Sequence, residues 1–474
     1  MPAVRIPKRQ THGMRACPSI VQQAKGESSM QRSTHTTAAL IAAASVMGMS
    51  FGLTASTALA AGEAPVADPA AKVDYSGKLR ILTKFGLQQL SPYFVNIAKA
   101  YEAAHPGVKV ELIQENDDSI KGKTKTLVAS NSLPDIYFSW TGTWGENFVR
   151  GNRAVDLSKV IGPDTEWGKT LSPAAVKAFA YNGKYFGVPL YLDAKFMGYN
   201  KKMFADLGLE APKDFDGLLK ACDALKASGV VPIAIGNKES WPLVHYLGQM
   251  LAYNVPVETL ERDFDPKTAK FDDPGYVAAL NQYKALQDRC AGGAQVNGLS
   301  YQTAMQSLSD KKAAMYYQEI IEFDQAATKD TALKPEEFGF FKLPAPKDAK
   351  GSTTALEGAP EGYMVNTKAK NVPLAIDFLK FLTTQENGKT LSEPPFGQPS
   401  AVIGGSDKTK INPNVAEGMD EIAKATYLMQ WLDTVNHPRV AAAWLSGMQA
   451  FAGGSMSAED LVTSVRKAAA AAAK

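Results

Sequence analysis

Histidine and cysteine are scarce in this chain of 474 residues, with five and three copies respectively. Of the histidines, His105, His245 and His437 lie far apart and none neighbours a cysteine, which argues against a zinc site. His105, just before Pro106, reads as a helix-end residue. Also missing are G-x-S-x-G, H-E-x-x-H, a Walker loop, and a G-x-G-x-x-G placed after a strand. No cofactor or metal is expected. Long apolar runs are lacking too. Ala38 to Leu53 is mostly apolar, but Ser45, Gly48, Ser50 and Gly52 break it and it is short for a membrane helix.

That segment reads instead as the core of an export signal. Arg32 gives a basic start and Ala58-Leu59-Ala60 a small-residue cleavage site, with cleavage expected near Ala60-Ala61. Residues 1–29 are polar, with Pro2, Pro7 and Pro18, so Met30 reads as the true start and residues 1–61 as leader and signal peptide. No cysteine follows the cleavage site, so no lipid anchor is expected, and the predicted location is the periplasm. Setting the leader aside also changes the charge. The 51 basic and 48 acidic residues fall to 45 and 47 without Arg5, Lys8, Arg9, Arg15, Lys25, Arg32 and Glu27, a net of −2. A nucleic-acid surface is therefore not expected.

Cys17 leaves with the leader. Cys222 lies with Leu218 and Leu225, and Cys290 with Leu280 and Tyr283, each on the apolar face of a predicted helix. They are read as two buried free thiols; a disulfide, which export permits, is the alternative.

About 410 residues remain, enough for roughly two to three domains. Gly62 to Ala71 is Ala/Pro-rich and is expected to be a mobile end. Next, Leu79–Thr83, Val108–Ile113 and Asp135–Ser139 read as strands, separated by helical spacing at Phe94, Ile97, Ala98 and Tyr101 and at Ile120, Thr124, Leu127 and Val128. This βαβαβ pattern predicts a parallel sheet covered by helices, with ligands beyond the carboxyl ends of its strands. A second α/β unit follows, with strands at Val230–Ile235, Ala313–Tyr317, Phe338–Leu343 and Glu361–Val365. The tail is predicted helical from about Asn414, ending in an alanine run that should fray.

Gly187 to Phe204 stands out. Val188, Leu190, Tyr191, Leu192, Phe196, Met197 and Tyr199 make an apolar, aromatic strand with one carboxylate, Asp193, in its middle. A carboxylate there costs several kcal/mol unless something hydrogen-bonds it. Either Asp193 caps a turn or pairs with Lys195, or it grips a ligand. Other polar and flat side chains gather at strand ends: Phe85 after the first strand, Glu115 and Asn116 after the second, Trp140 and Trp144 after the third, Trp241 and Glu319 in the second unit, and Glu361 and Tyr363 later. Rings stack on the C–H faces of sugars, while carboxylates and amides bond hydroxyls. Such a set suits a neutral polyol. An anion would call for arginine, for which only Arg150 and Arg153 are near. Paired carboxylates among Glu115, Asp193, Glu319 and Glu361 leave a secreted glycosidase open as a rival.

The mature chain resembles the family 1 extracellular solute-binding proteins of bacterial ABC sugar importers. The resemblance rests on Tyr101-Glu102-Ala103-Ala104-His105-Pro106-Gly107-Val108, Leu133-Pro134-Asp135-Ile136-Tyr137, Gly183 to Pro189, Gly198-Tyr199-Asn200, Lys312 to Met315 and Gly362 to Asn366, in that order. It implies the two-lobed, type II periplasmic binding protein fold, of α/β class. Each lobe would be a mixed, mainly parallel sheet flanked by helices, with the cleft at the hinge. The implied lobes are 76–192 and 345–392 for the first, and 196–341 and 396–474 for the second. The chain would cross near Pro189–Lys195 and again near Phe341–Pro346. Asp193 would bond sugar hydroxyls, and Trp140 and Trp241 would stack. Where the family often shows a Gly and a Trp, this chain has Tyr316 to Ile321, which makes Glu319 a polar substitute, and Gly358 to Gly362 makes Glu361 a contact. The implied function is binding a neutral mono- or oligosaccharide, without catalysis, and delivery by a monomer to the ABC permease. Glycerol-phosphate and a polyamine are the alternative solutes. Asp193→Ala is expected to abolish binding without unfolding the chain.

Overall fold

The computed structural model describes residues 63–291 and 293–474; the expected leader lies outside them. The βαβαβ opening is present. Strand β1 (Gly77–Thr83) pairs in parallel with β2 (Val108–Gln114) and β3 (Ile136–Trp140). Helix Ser91–Ala104 joins the first two, opened by a proline in its first turn and stopped ahead of Pro106-Gly107. Helix Asp117–Ala129 joins the next two. The Asn116 side chain accepts from Ser119 N and caps its start.

A short hairpin, β4 (Ala180–Tyr181) and β5 (Lys184–Tyr185), turns at Asn182 and Gly183, both at positive φ (51° and 75°) as a tight two-residue turn requires. The remaining strands are β6 (Gly187–Asn200), β7 (Val231–Ile233), β8 (Ala313–Glu319), β9 (Phe338–Phe341), β10 (Leu356–Val365) and β11 (Leu428–Met429). The main sheet runs β2-β1-β3-β10-β6-β8-β7, with β9 on β6 and β11 on β10. It is mixed, parallel among the outer strands and antiparallel around β6 and β10. Helices cover it, giving a two-lobed α/β fold of type II.

The lobes meet on the two long strands. The partner of β6 changes from β10 to β8 between Ala194 and Lys195. In the second lobe, alternate β6 and β8 residues serve opposite faces. Phe196 and Tyr316 join one core cluster, and Met197, Met315 and Tyr317 the other.

Five expectations need correction. The return crossing lies later than Phe341–Pro346. Leu343 and Ala355 still pack in the second-lobe cluster, and Ala345 O accepts from Phe215 N. Pro344 and Pro346 cannot donate to a ladder, so β10 makes the crossing instead. It pairs with β11 at Leu356 and Glu357 and with β3 from Glu361 to Val365. The tail also stays longer with the first lobe: Leu192 N donates to Pro399 O and Ala401 N to Leu190 O. Residues 63–71 are docked, with Ala67 buried and its N–H given to Asp156 O. The alanine run continues helix Ala458–Ala472, with Ala469 buried. Finally, Cys222 and Cys290 form a disulfide with Cα atoms 5.1 Å apart. The two apolar faces expected to bury separate thiols pack on each other, which brings both sulfurs to one seam.

Candidate functional site

The strand ends meet over the hinge. Lys84 follows β1, Asp117 opens the helix after β2, Trp140 ends β3, Glu319 ends β8, and Trp241 opens helix Trp241–Asn254. Glu361, on β10, lies opposite Trp140 in the ladder. With Lys121, His245, Trp431, Asp433 and Thr434 they line a narrow central chamber. A second, wider recess shares Lys121, Trp241, Asp433 and Thr434 with it. A third shares Lys84, Asp117 and Glu319. The cleft is therefore a row of three spaces between the lobes.

Every lysine in the central chamber, and Lys195 beside it, faces a carboxylate. Lys84 Nζ lies 2.9 Å from Asp117 Oδ1 and 2.7 Å from Glu361 Oε2. Glu361 also accepts from Trp140 Nε1 at 2.9 Å and from the Tyr191 hydroxyl at 2.6 Å. Lys121 pairs with Asp433 and sits 4.7 Å from the centre of a Trp140 ring. Lys195 Nζ is 3.3 Å from Glu319 Oε1 and 5.1 Å from a Trp241 ring. His245 stacks on Trp431 at 4.6 Å.

Burial alone would discharge Lys84, but Asp117 and Glu361 outweigh it and hold its pKa well above the ordinary value. Burial would likewise raise Glu319, yet Lys195 and Lys84 bring it down to about 2. Its neighbours move the other way. Burial and then the Glu319 charge push Glu322 up to about 8. Burial, then Glu319 and Glu361, push Asp193 well above the carboxylate range. Burial lowers the His245 pKa, which keeps its imidazole neutral.

The structure brings together four of the residues singled out from sequence: Trp140, Trp241, Glu319 and Glu361 line the central chamber. Trp144 lines the second recess. Phe85 borders the third, but its ring is buried against Phe94 at 5.0 Å. Four others lie outside all three linings. Asn116 is used as the helix cap, Glu115 faces Lys123 at 3.6 Å, and the fully buried Tyr363 shares a hydrogen bond with Thr83 at 2.7 Å. Asp193 sits beneath the chamber, 1% exposed, and neither carboxylate oxygen has a partner among the described residues. Lys195, the pairing weighed for it, turns to Glu319 instead.

Sequence reading missed Lys84, Asp117, Lys121, His245, Trp431 and Asp433. Lys84 and Asp117 carried a signal, being the residues beside Phe85 and Asn116 at strand ends. Trp431 and Asp433 carried none, because the tail read only as helix.

Two α/β lobes on shared strands, with a lined cleft at the crossing, define a solute-binding protein. The family model of bacterial extracellular solute-binding proteins matches residues 87–389, and the chain belongs to that family. It is similar to the multiple sugar-binding protein of Streptococcus mutans serotype c, at 25% identity over 61% of this chain and 67% of that one. It is also similar to the diacetylchitobiose binding protein DasA of Streptomyces coelicolor, at 26% identity over 65% and 69%. Among solved structures, a chitin oligosaccharide binding protein superposes with a TM-score of 0.76 at 23% identity, over 84% of this chain and 100% of that one. These relatives are solute-binding proteins, not enzymes, and most with a stated ligand bind sugars.

Proposed function

We propose that this protein is the periplasmic receptor of an ABC importer, holding a neutral mono- or oligosaccharide in the hinge cleft and handing it to a membrane permease. The observation that carries the reading is the pairing of every chamber lysine with a carboxylate between the Trp140 and Trp241 rings. Among the described residues of the central chamber, paired charges leave no free cation for a phosphate and no lone anionic pocket for a polyamine. They do leave many hydrogen-bonding atoms for hydroxyls, beside rings that stack on sugar faces. The named ligands of relatives from Streptococcus mutans, Streptomyces coelicolor and Streptococcus pneumoniae support a sugar.

Trp140, Trp241, Glu319 and Glu361 are the proposed contacts, joined by Lys84, Asp117, His245, Trp431 and Asp433. Asp193 lies beneath the chamber as a neutral carboxyl and is not among the proposed contacts. The protein works as a monomer and makes or breaks no bond. Closure is a hinge motion on β6 and β10, favoured when a ligand bridges Trp140 on one lobe and Trp241 on the other. The buried Cys222–Cys290 disulfide fits export to an oxidising compartment.

The test is calorimetry and thermal shift of the purified protein against neutral sugars, a sugar phosphate and a polyamine. Saturable binding of one neutral saccharide is the expected result. A response only to the phosphate or the polyamine would overturn the sugar assignment, and sustained hydrolysis of aryl glycosides would overturn transport.

A further inference from the structure

Residues 430–436 touch both lobes. Leu432 and Val435 pack in the second-lobe core. Trp431 stacks on His245 at 4.6 Å, and His245 Nε2 lies 3.8 Å from Asp433 Oδ1. The same segment meets the first lobe where β3 gives way to helix Gly142–Arg150. There Thr141 Oγ1 donates to Gln430 Oε1 at 3.1 Å, and Thr143 Oγ1 donates to Val435 O at 2.8 Å. Between them Gly142, at φ +68°, comes so close that a Cβ would lie 2.8 Å from Val435 Cα. Lys121 adds its pair with Asp433.

Neither threonine lines any of the three spaces. What they join does: Trp140, one residue before Thr141, and Trp431, Asp433 and Thr434 on the facing segment. The two hydroxyl bonds therefore fix the first-lobe wall of the chamber against its second-lobe wall. Their partners sit on opposite lobes, so the bonds exist only in the closed form. When the lobes part, donors and acceptors return to water. When the lobes close, the acceptors are stranded unless the hydroxyls meet them. Such bonds favour closure whichever solute the cleft takes. We propose that Thr141 and Thr143 are positioning residues that latch the lobes, so that the closed form predominates before any ligand arrives. A ligand bridging Trp140 and Trp241 then adds to a closure already favoured.

The experiment is small-angle X-ray scattering of the ligand-free protein, as parent, as Thr141→Val/Thr143→Val and as Thr141→Ser/Thr143→Ser. Valine keeps the shape and removes the donor, while serine keeps the donor. Thr141 makes no side-chain helix cap that valine would remove. The parent is expected at the radius of gyration of the closed fold. In the valine variant the ratio of closed to open form should fall at least about tenfold, seen as a larger radius at an unchanged melting temperature. The serine variant should scatter as the parent does. A ligand-free parent that is open overturns the latch. So does a valine variant as compact as the parent, or a serine variant as expanded as the valine one. If the double valine variant fails to fold, Thr143→Val, at a half-buried position, is judged by the same criteria. No sugar is added, so these outcomes leave the saccharide reading to its own test.

Discussion

Trp140 Nε1 donates to Glu361 Oε1 at 2.9 Å, and the two residues are direct cross-strand partners of β3 and β10. The ladder register itself therefore sets an aromatic ring and a carboxylate side by side at the chamber wall. Lys84 and Tyr191 hold the other carboxylate oxygen. A ring fixed this way has little rotamer freedom left to lose when a ligand stacks on it.

Removing that carboxylate should cost stability. Glu361→Ala leaves Lys84 buried with Asp117 alone and orphans the Trp140 and Tyr191 donors. Urea denaturation is expected to show a loss of about 3 kcal/mol. Adding Lys84→Met to that variant should recover part of it, since the uncompensated charge goes too. A neutral Glu361→Ala would mean that the network is not formed.

Much of this was legible from sequence, and the limits are physical. Strands β1 to β3 and their helices follow from apolar periodicity, and Trp140, Trp241, Glu319 and Glu361 from their place at strand ends. Asn116 also sits at a strand end, but that position is a helix start as well, where an amide is used as a cap. From sequence, Asp193 reads as the central ligand contact because a carboxylate in an apolar strand needs a reason. Strand alternation sets it on the same face as Lys195, yet Lys195 is the cross-strand partner of Glu319, and no local pattern tells which carboxylate that lysine serves. The crossing on β10 and the contribution of Trp431 and Asp433 depend on contacts far apart in the chain.

Asp193→Asn therefore gives a sharper test than alanine. Its carboxyl is buried, without a partner among the described residues, and held protonated, so the amide keeps shape and neutrality. Affinity for the cognate sugar is expected to stay within about threefold. A loss of a hundredfold would place Asp193 in direct contact with the ligand.

Stability should fall as pH rises from the ordinary carboxylate range toward 8. Glu322, raised to about 8, keeps its proton in the fold after the unfolded chain has lost it. The native state then binds more protons, so its advantage is full below the unfolded pKa and is lost through the folded one. Asp193 acts in the same direction. Glu319, lowered to about 2, acts oppositely, and its contribution is lost only as pH falls toward that value. Melting temperatures between roughly pH 5 and 8 should decline, and Glu322→Gln should flatten the decline. An unchanged slope in that variant would contradict the assignment.

The Cys222–Cys290 bridge spans 68 residues. Closing a loop of that length stabilises by about 4 kcal/mol in the chain-entropy account. The double variant Cys222→Ser/Cys290→Ser should lose most of that in urea denaturation while retaining its cleft. Free-thiol titration of the unfolded, unreduced protein should find neither cysteine reactive.

Trp241 borders both the central chamber and the second recess, and as a partly exposed residue it can be truncated with little damage to the core. Calorimetry of Trp241→Ala beside the parent protein, with whichever neutral saccharide binds the parent, is the direct test of the cleft. Expected are one site per chain in the parent and a loss of at least about tenfold in the variant, at an essentially unchanged melting temperature. Undiminished affinity in a folded Trp241→Ala protein would place the ligand elsewhere.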